Sequence, residues 1–261
     1  MLLLFMKFVG APLFLVAATL AARRWGETIG GLIVAFPMIS GPISVILALE
    51  DGAAFAVRAG IGSLTGTLAL SFFGFVYAVA CPKGRVFAVV SGLTVFAVGS
   101  VFFSYLNLSL PVLFAVTAVC IVVLGYVTPV SRQVSATRGP LKYDLLLRVC
   151  LMVSMTLAVT ETAPFLGPTV SGILSSLPLM ALTMALFAQR GGQNAAEAQK
   201  VMKGLVSGLM GTAVFYLVLP MTLTDGHLVF GYSAASLAAV LLQCVVLFFL
   251  QKNRKKDRQS T

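Results

Sequence analysis

Four cations stand apart from every charge cluster in this chain: Lys7, Arg58, Arg148 and Lys203. Each lies several residues inside an apolar run, where a charge persists only if it faces a protein interior or a watery cavity, or extends its stem to the headgroups. Their spacing relates them, Lys7 and Arg148 being 141 residues apart and Arg58 and Lys203 145. Arg58, Gly62 and Gly66 recur every four residues, as do Lys203, Ser207 and Gly211, so each cation shares a helical stripe with small residues that permit close packing. That arrangement predicts cations pointing into a helix bundle. Glu27, Asp144, Glu161 and Glu197 fall near helix ends instead, so the expected chemistry is the holding of an anion in two quasi-equivalent cationic vestibules. Structural pairing and snorkelling are the competing reading.

A second set of residues is centred on two prolines. In Phe36-Pro37-Met38-Ile39-Ser40-Gly41-Pro42 and in Leu177-Pro178-Leu179-Met180-Ala181-Leu182-Thr183, a proline removes a backbone donor within an apolar span. Both spans are expected to kink or break there. Interruptions at matching places in two halves of a membrane protein point to a midplane binding site. Half-helix N-termini would offer N–H groups and a dipole to an anion, and Ser40, Ser44, Ser175, Ser176 and Thr183 would offer hydroxyls. A kink that serves packing alone competes with this. Glu27 and Glu161 are candidates for coupling to protons or sodium.

No enzyme signature accompanies these residues. HExxH, GxSxG and GxxxxGK[ST] are absent and His227 is a lone loop histidine. Cys81, Cys120, Cys150 and Cys244 show no CxxC spacing, so neither a disulfide framework nor a zinc site is indicated. The expectation is a protein that is not an enzyme and carries no cofactor or metal.

The elements that position these residues follow from composition. With 59% hydrophobic and 10% charged residues and a mean hydropathy of +1.02, the chain of 261 residues is no water-soluble globule. Apolar stretches predict spans at 2–21, 27–49, 53–80, 85–104, 108–128, 144–163, 167–189, 197–219 and 229–250. The first is read as mature structure, not a signal peptide, because no charge precedes Lys7. With the N-terminus outside, fourteen of the eighteen Lys and Arg fall in cytoplasmic segments. Glu50, Asp51, Glu161, Asp225 and His227 then lie outside, so nine spans satisfy the positive-inside rule at every loop. The net charge of +10 therefore reports topology and anionic-lipid contact through the basic tail, and no nucleic-acid partner is expected.

The chain also matches itself. At an offset of 141, Gly26, Thr28, Gly31 and Pro37 fall on Gly167, Thr169, Gly172 and Pro178; at 145, Gly66-Thr67 falls on Gly211-Thr212. The expected architecture is all-α: a first four-helix repeat over 1–107, a linker helix and cytoplasmic loop over 108–142, a second repeat over 143–250 and a basic cytoplasmic tail over 251–261. Because an odd number of crossings separates the copies, the second is inverted, as in many secondary transporters.

The stretch Ile29-Gly30-Gly31-Leu32-Ile33-Val34-Ala35-Phe36-Pro37 resembles the GlpM-like small bacterial inner-membrane proteins, whose single copy is a four-helix unit with a G-L-x-x-x-F-P segment in its second helix. The second half departs from that motif, having Leu177 before Pro178 where the motif has phenylalanine. The resemblance implies a polytopic bacterial inner-membrane protein and no particular substrate. The function expected is a secondary transporter or exporter of a small anionic solute by alternating access. A translocase of an anionic lipid or lipid phosphate is a variant, and a non-transporting membrane scaffold or accessory subunit is an alternative of different class. The partners expected are the bilayer and an anionic small molecule or lipid headgroup, in a form compatible with a homo-oligomer.

Overall fold

A chain segment in hydrocarbon must satisfy every backbone N–H and C=O internally, and an α-helix does so within one segment. The computed structural model describes Pro37 and residues 40–131, 144–189, 195–223 and 227–259, and every regular element among them is helical. These are α1 (Ser40–Glu50), α2 (Ala53–Ala80), α3 (Arg85–Tyr105), α4 (Leu110–Val127), α5 (Asp144–Ser175), α6 (Leu179–Ala188), α7 (Ala195–Thr222) and α8 (Leu228–Gln259), with a 3-10 turn over Cys81–Lys83. Six helical stretches among the described residues are long and apolar enough to cross a bilayer. The described residues are all-helical, and the chain is an integral membrane protein.

The expected spans at 53–80, 85–104, 108–128, 197–219 and 229–250 appear as α2, α3, α4, α7 and α8. Residues 251–259, expected as a tail, instead continue α8 without interruption. They contain neither Gly nor Pro, and Lys, Arg and Gln are good helix formers. The expected first span and the start of the second, with Lys7 and Glu27, lie outside the described residues.

Within α5 the helical dihedrals fail at Gly167 (φ 75°, ψ 169°), between Pro164 and Pro168. No atom stands within 4 Å of where its Cβ would be, so glycine is required there by the dihedral angles and not by space. A second break, at Ser176–Pro178, separates α5 from α6, so the expected seventh span is divided at its proline.

Two helices form the centre. The apolar window of α2 is 72% buried and that of α7 61%, against 22% for α3 and α4 and 17% for α8. α2 and α7 pack on each other, α3 lies against α2, α8 against α7, and α4 touches both central helices. Leu64, Leu68, Phe73 and Tyr77 of α2 meet Met202, Leu205, Leu209 and Tyr216 of α7 in one core. Lipid is as apolar as leucine, so close packing and interhelical hydrogen bonds must supply the association energy. Small residues allow that approach: a Cβ on Gly66 would stand 2.7 Å from the Ser176 Cβ, and one on Gly74 2.7 Å from the Val206 Cγ2.

Candidate functional site

The Pro37 carbonyl accepts the Gly41 N–H at 2.8 Å, and the Pro178 carbonyl accepts the Leu182 N–H at 2.8 Å. Pro178 thus occupies the capping position of α6, of 10 residues, while the Pro37 carbonyl is bonded to the second residue of α1. The ring of Pro178 removes a donor that a helix start would leave unsatisfied anyway, so proline begins α6 without cost. Both prolines line one cavity of about 50 Å³, with Ser40, Thr67, Ser175, Ser176, Thr212, Met180 and Ala181. Leu70, Leu177, Leu205 and Leu209 complete its wall, and no charged side chain lines it among the described residues.

The break after α5 frees the Gly172 carbonyl, and serine hydroxyls fill it. Ser175 Oγ donates to Gly172 O at 2.7 Å, and Ser63 Oγ donates to the same oxygen at 3.0 Å. Ser176 Oγ donates to Ser63 O at 3.2 Å, an oxygen that also accepts from Thr67 Oγ1 at 2.8 Å. A hydroxyl has one proton, so these four donors are committed: Ser63 and Ser176 cross between α2 and the end of α5, while Ser175 and Thr67 turn back to their own helices. Ser40 lies at the cavity wall, and the fully buried Tyr216 hydroxyl sits behind it, facing Ser40 and Ser63 and outside the cavity lining.

The remaining predicted residues sit elsewhere. Tyr232 Oη donates to Ser44 O at 2.7 Å, which leaves the Ser44 hydroxyl to donate to Tyr232 Oη at 2.9 Å; Ser44 therefore links α1 to α8 and does not line the cavity. Thr183 Oγ1 turns back to Met180 O at 2.9 Å. Glu161 is exposed on α5, away from the cavity.

Nor do the described cations reach the cavity. Arg58 is exposed, because residues four apart on a helix drift by about 40° per step, so Arg58 and Gly66 lie about 80° apart around α2. Lys203 is half-buried, and its Nζ donates to Tyr126 O at 3.2 Å and Thr128 O at 3.3 Å, at the C-terminal end of α4, where the helix dipole favours a cation. The expectation of cations converging in the bundle is corrected for these two. Lys7 and the Arg148 side chain lie outside the described residues.

Sequence reading also missed a buried amide network where α2 ends. Tyr77 Oη donates to Gln189 Oε1 at 2.8 Å, and Gln189 Nε2 donates to Cys81 O at 3.3 Å. Gln199 Nε2 donates to Ala78 O at 3.0 Å and its Oε1 accepts the Ser131 N–H at 2.9 Å. The end of α2 is thereby tied to α6, α7 and the segment after α4. Thr67 and Thr212 were visible as matched residues in the self-alignment, whereas nothing in the spacing marked Tyr216, Gln189 or Gln199. Compared with known proteins, the chain matches no family model, no curated protein and no solved structure.

Proposed function

We propose that this chain is a secondary transporter or exporter that moves a small anionic solute by alternating access, with the cavity between Pro37 and Pro178 as its central site. One observation carries this: two helices preceded by matched prolines start at the same cavity. A helix N-terminus presents free N–H groups and roughly half a positive charge, so two of them make an anion site without a cationic side chain. Ser40 adds a hydroxyl donor.

Alternating access requires two near-equivalent halves, and the packing supports the nine-span, 4 + 1 + 4 inverted repeat. Under the sequence match α2 and α3 correspond to α7 and α8, and α4, the linker, lies against both α2 and α7. Thr67 and Thr212, matched in sequence, line the cavity together. Val149–Leu186 contains 38 residues, which as one straight helix would reach about 57 Å, nearly twice the hydrocarbon thickness. The break at Gly167 is read as the turn between the sixth and seventh spans. Two halves of opposite orientation exchange conformations at similar energy, turning an outward-facing site inward. An N-out, C-in topology in a bacterial inner membrane, as two fused GlpM-like units, belongs to the same proposal.

Counterflow in proteoliposomes loaded with one of a panel of small anions tests it. Saturable exchange of one anion class is the expected result. Absence of flux for every anion in correctly folded protein would favour the scaffold reading.

A further inference from the structure

The break between α5 and α6 leaves two further carbonyls without donors. In an unbroken helix the Ser175 and Ser176 carbonyls would accept from the N–H groups of Leu179 and Met180. The Leu179 N–H goes instead to Leu177 O at 2.8 Å, and neither serine carbonyl accepts a hydrogen bond from any of the described residues. Both serines are buried and line the cavity. At membrane depth such carbonyls persist where protein, water or an ion completes them.

The hydroxyls beside them carry the same polarity. Thr67 gives its proton to Ser63 O, Ser175 to Gly172 O and Ser176 to Ser63 O. A hydroxyl has one proton and two lone pairs, so these three oxygens can offer a ligand in the cavity only lone pairs. The C-terminal end of α5 adds roughly half a negative charge. Carbonyl and hydroxyl oxygens at an interrupted membrane helix replace the hydration shell of a monovalent cation. A divalent cation is poorly matched, because no cluster of three His, Cys, Asp or Glu side chains occurs among the described residues and the other wall residues include Leu70, Leu177, Leu205 and Leu209. A volume of about 50 Å³ admits on the order of four water-sized groups, enough for one ion and residual water.

We propose that the cavity binds a monovalent alkali cation through the Thr67, Ser175 and Ser176 hydroxyl oxygens and the Ser175 and Ser176 carbonyls, and that this ion crosses with the anion. Its charge offsets that of the anion inside a low-dielectric wall. The cation site stands on the acceptor geometry alone, whereas its role in coupling rests on the transport reading above. Glu161, exposed and away from the cavity, supplies no ligand to it.

The test is the thermal stability of the detergent-solubilised full chain titrated with sodium, potassium, lithium and choline gluconate at matched ionic strength. The expected result is saturable stabilisation by at least one alkali cation and none by choline. Formate, acetate, nitrate and sulfate are then titrated with and without that cation, and the anion response should gain at least tenfold in apparent affinity when it is present. Thr67→Val should melt near the parent protein in choline, since Ser63 O keeps Ser176 as a donor, yet bind the cation at least tenfold more weakly. Thr67→Ser, which retains the oxygen, should restore binding. A merely structural hydroxyl would instead lower the melt equally in choline and in the alkali cation with affinity unchanged, which overturns the assigned ligands. If Thr67→Val fails to fold, Ser175→Ala carries the same readout, Gly172 O keeping Ser63 as a donor. No difference between choline and every alkali cation overturns the site while leaving anion transport standing. Anion counterflow that is equally fast without alkali cation overturns the coupling. Cation stabilisation in a protein that moves no anion supports the site and overturns the transport reading.

Discussion

Gly62 of α2 and Gly172 of α5 sit in one helix crossing, each against the other helix's backbone: a Cβ on Gly62 would strike the Thr169 carbonyl, and one on Gly172 the Ala59 carbonyl. The same crossing carries the Ser63–Gly172 hydrogen bond, so the approach that excludes a methyl group also sets the cavity wall.

Gly62→Ala and Gly172→Ala are therefore expected to cost about 1–3 kcal/mol each, because the obstacle is backbone and cannot rotate away. Thermal melts in detergent measure this. Both should also weaken anion stabilisation, since Ser63, Ser175 and Ser176 shift with the crossing.

Lys203→Met should lose about 1 kcal/mol or less, from the Tyr126 and Thr128 carbonyls at the end of α4, and should leave the anion response intact. Arg58→Ala should change neither quantity, its side chain being exposed. An anion response abolished in Arg58→Ala would restore the cationic-vestibule picture that Arg58, Gly62 and Gly66 had indicated.

Tyr77→Phe leaves Gln189 Oε1 buried without its phenol donor and is expected to destabilise by about 1–3 kcal/mol. The end of α2 should open more often. Cys81, 3% exposed with its Sγ 3.6 Å from Ala195 O, provides the sensor. In a background with Cys120, Cys150 and Cys244 replaced by Ser, maleimide labelling of Cys81 should accelerate in Tyr77→Phe and in Gln199→Ala. Unchanged labelling would show that these amides do not latch this end.

Pro178→Ala restores an N–H at the start of α6 and lets α5 and α6 approach one continuous helix. A folded protein of near-parental stability with at least tenfold slower counterflow is expected, equivalent to about 1.4 kcal/mol on the transport barrier. Flux equal to the parent would reduce the proline break to a packing feature.

Membrane residence, helical class and most span boundaries were legible because each depends on local chemistry. Apolar runs such as 85–104 and 108–128 emerge as α3 and α4 within two residues, since hydrocarbon permits no other way to satisfy their backbone. Pro37 and Pro178 marked the helix starts for the same reason: a missing N–H acts at its own position. What Arg58, Lys203, Ser44 and Tyr216 do was not local. Helical spacing puts Arg58 loosely in line with Gly62 and Gly66, but whether that face meets a neighbour depends on which helices surround α2. Lys203 found carbonyls 75 and 77 residues away, and Ser44 a phenol 188 residues away. A sequence fixes which face of each helix is small, polar or charged; only the packing of α2 against α5 and α7 decides which of those faces meet, because a side chain's partner is set by distance in space.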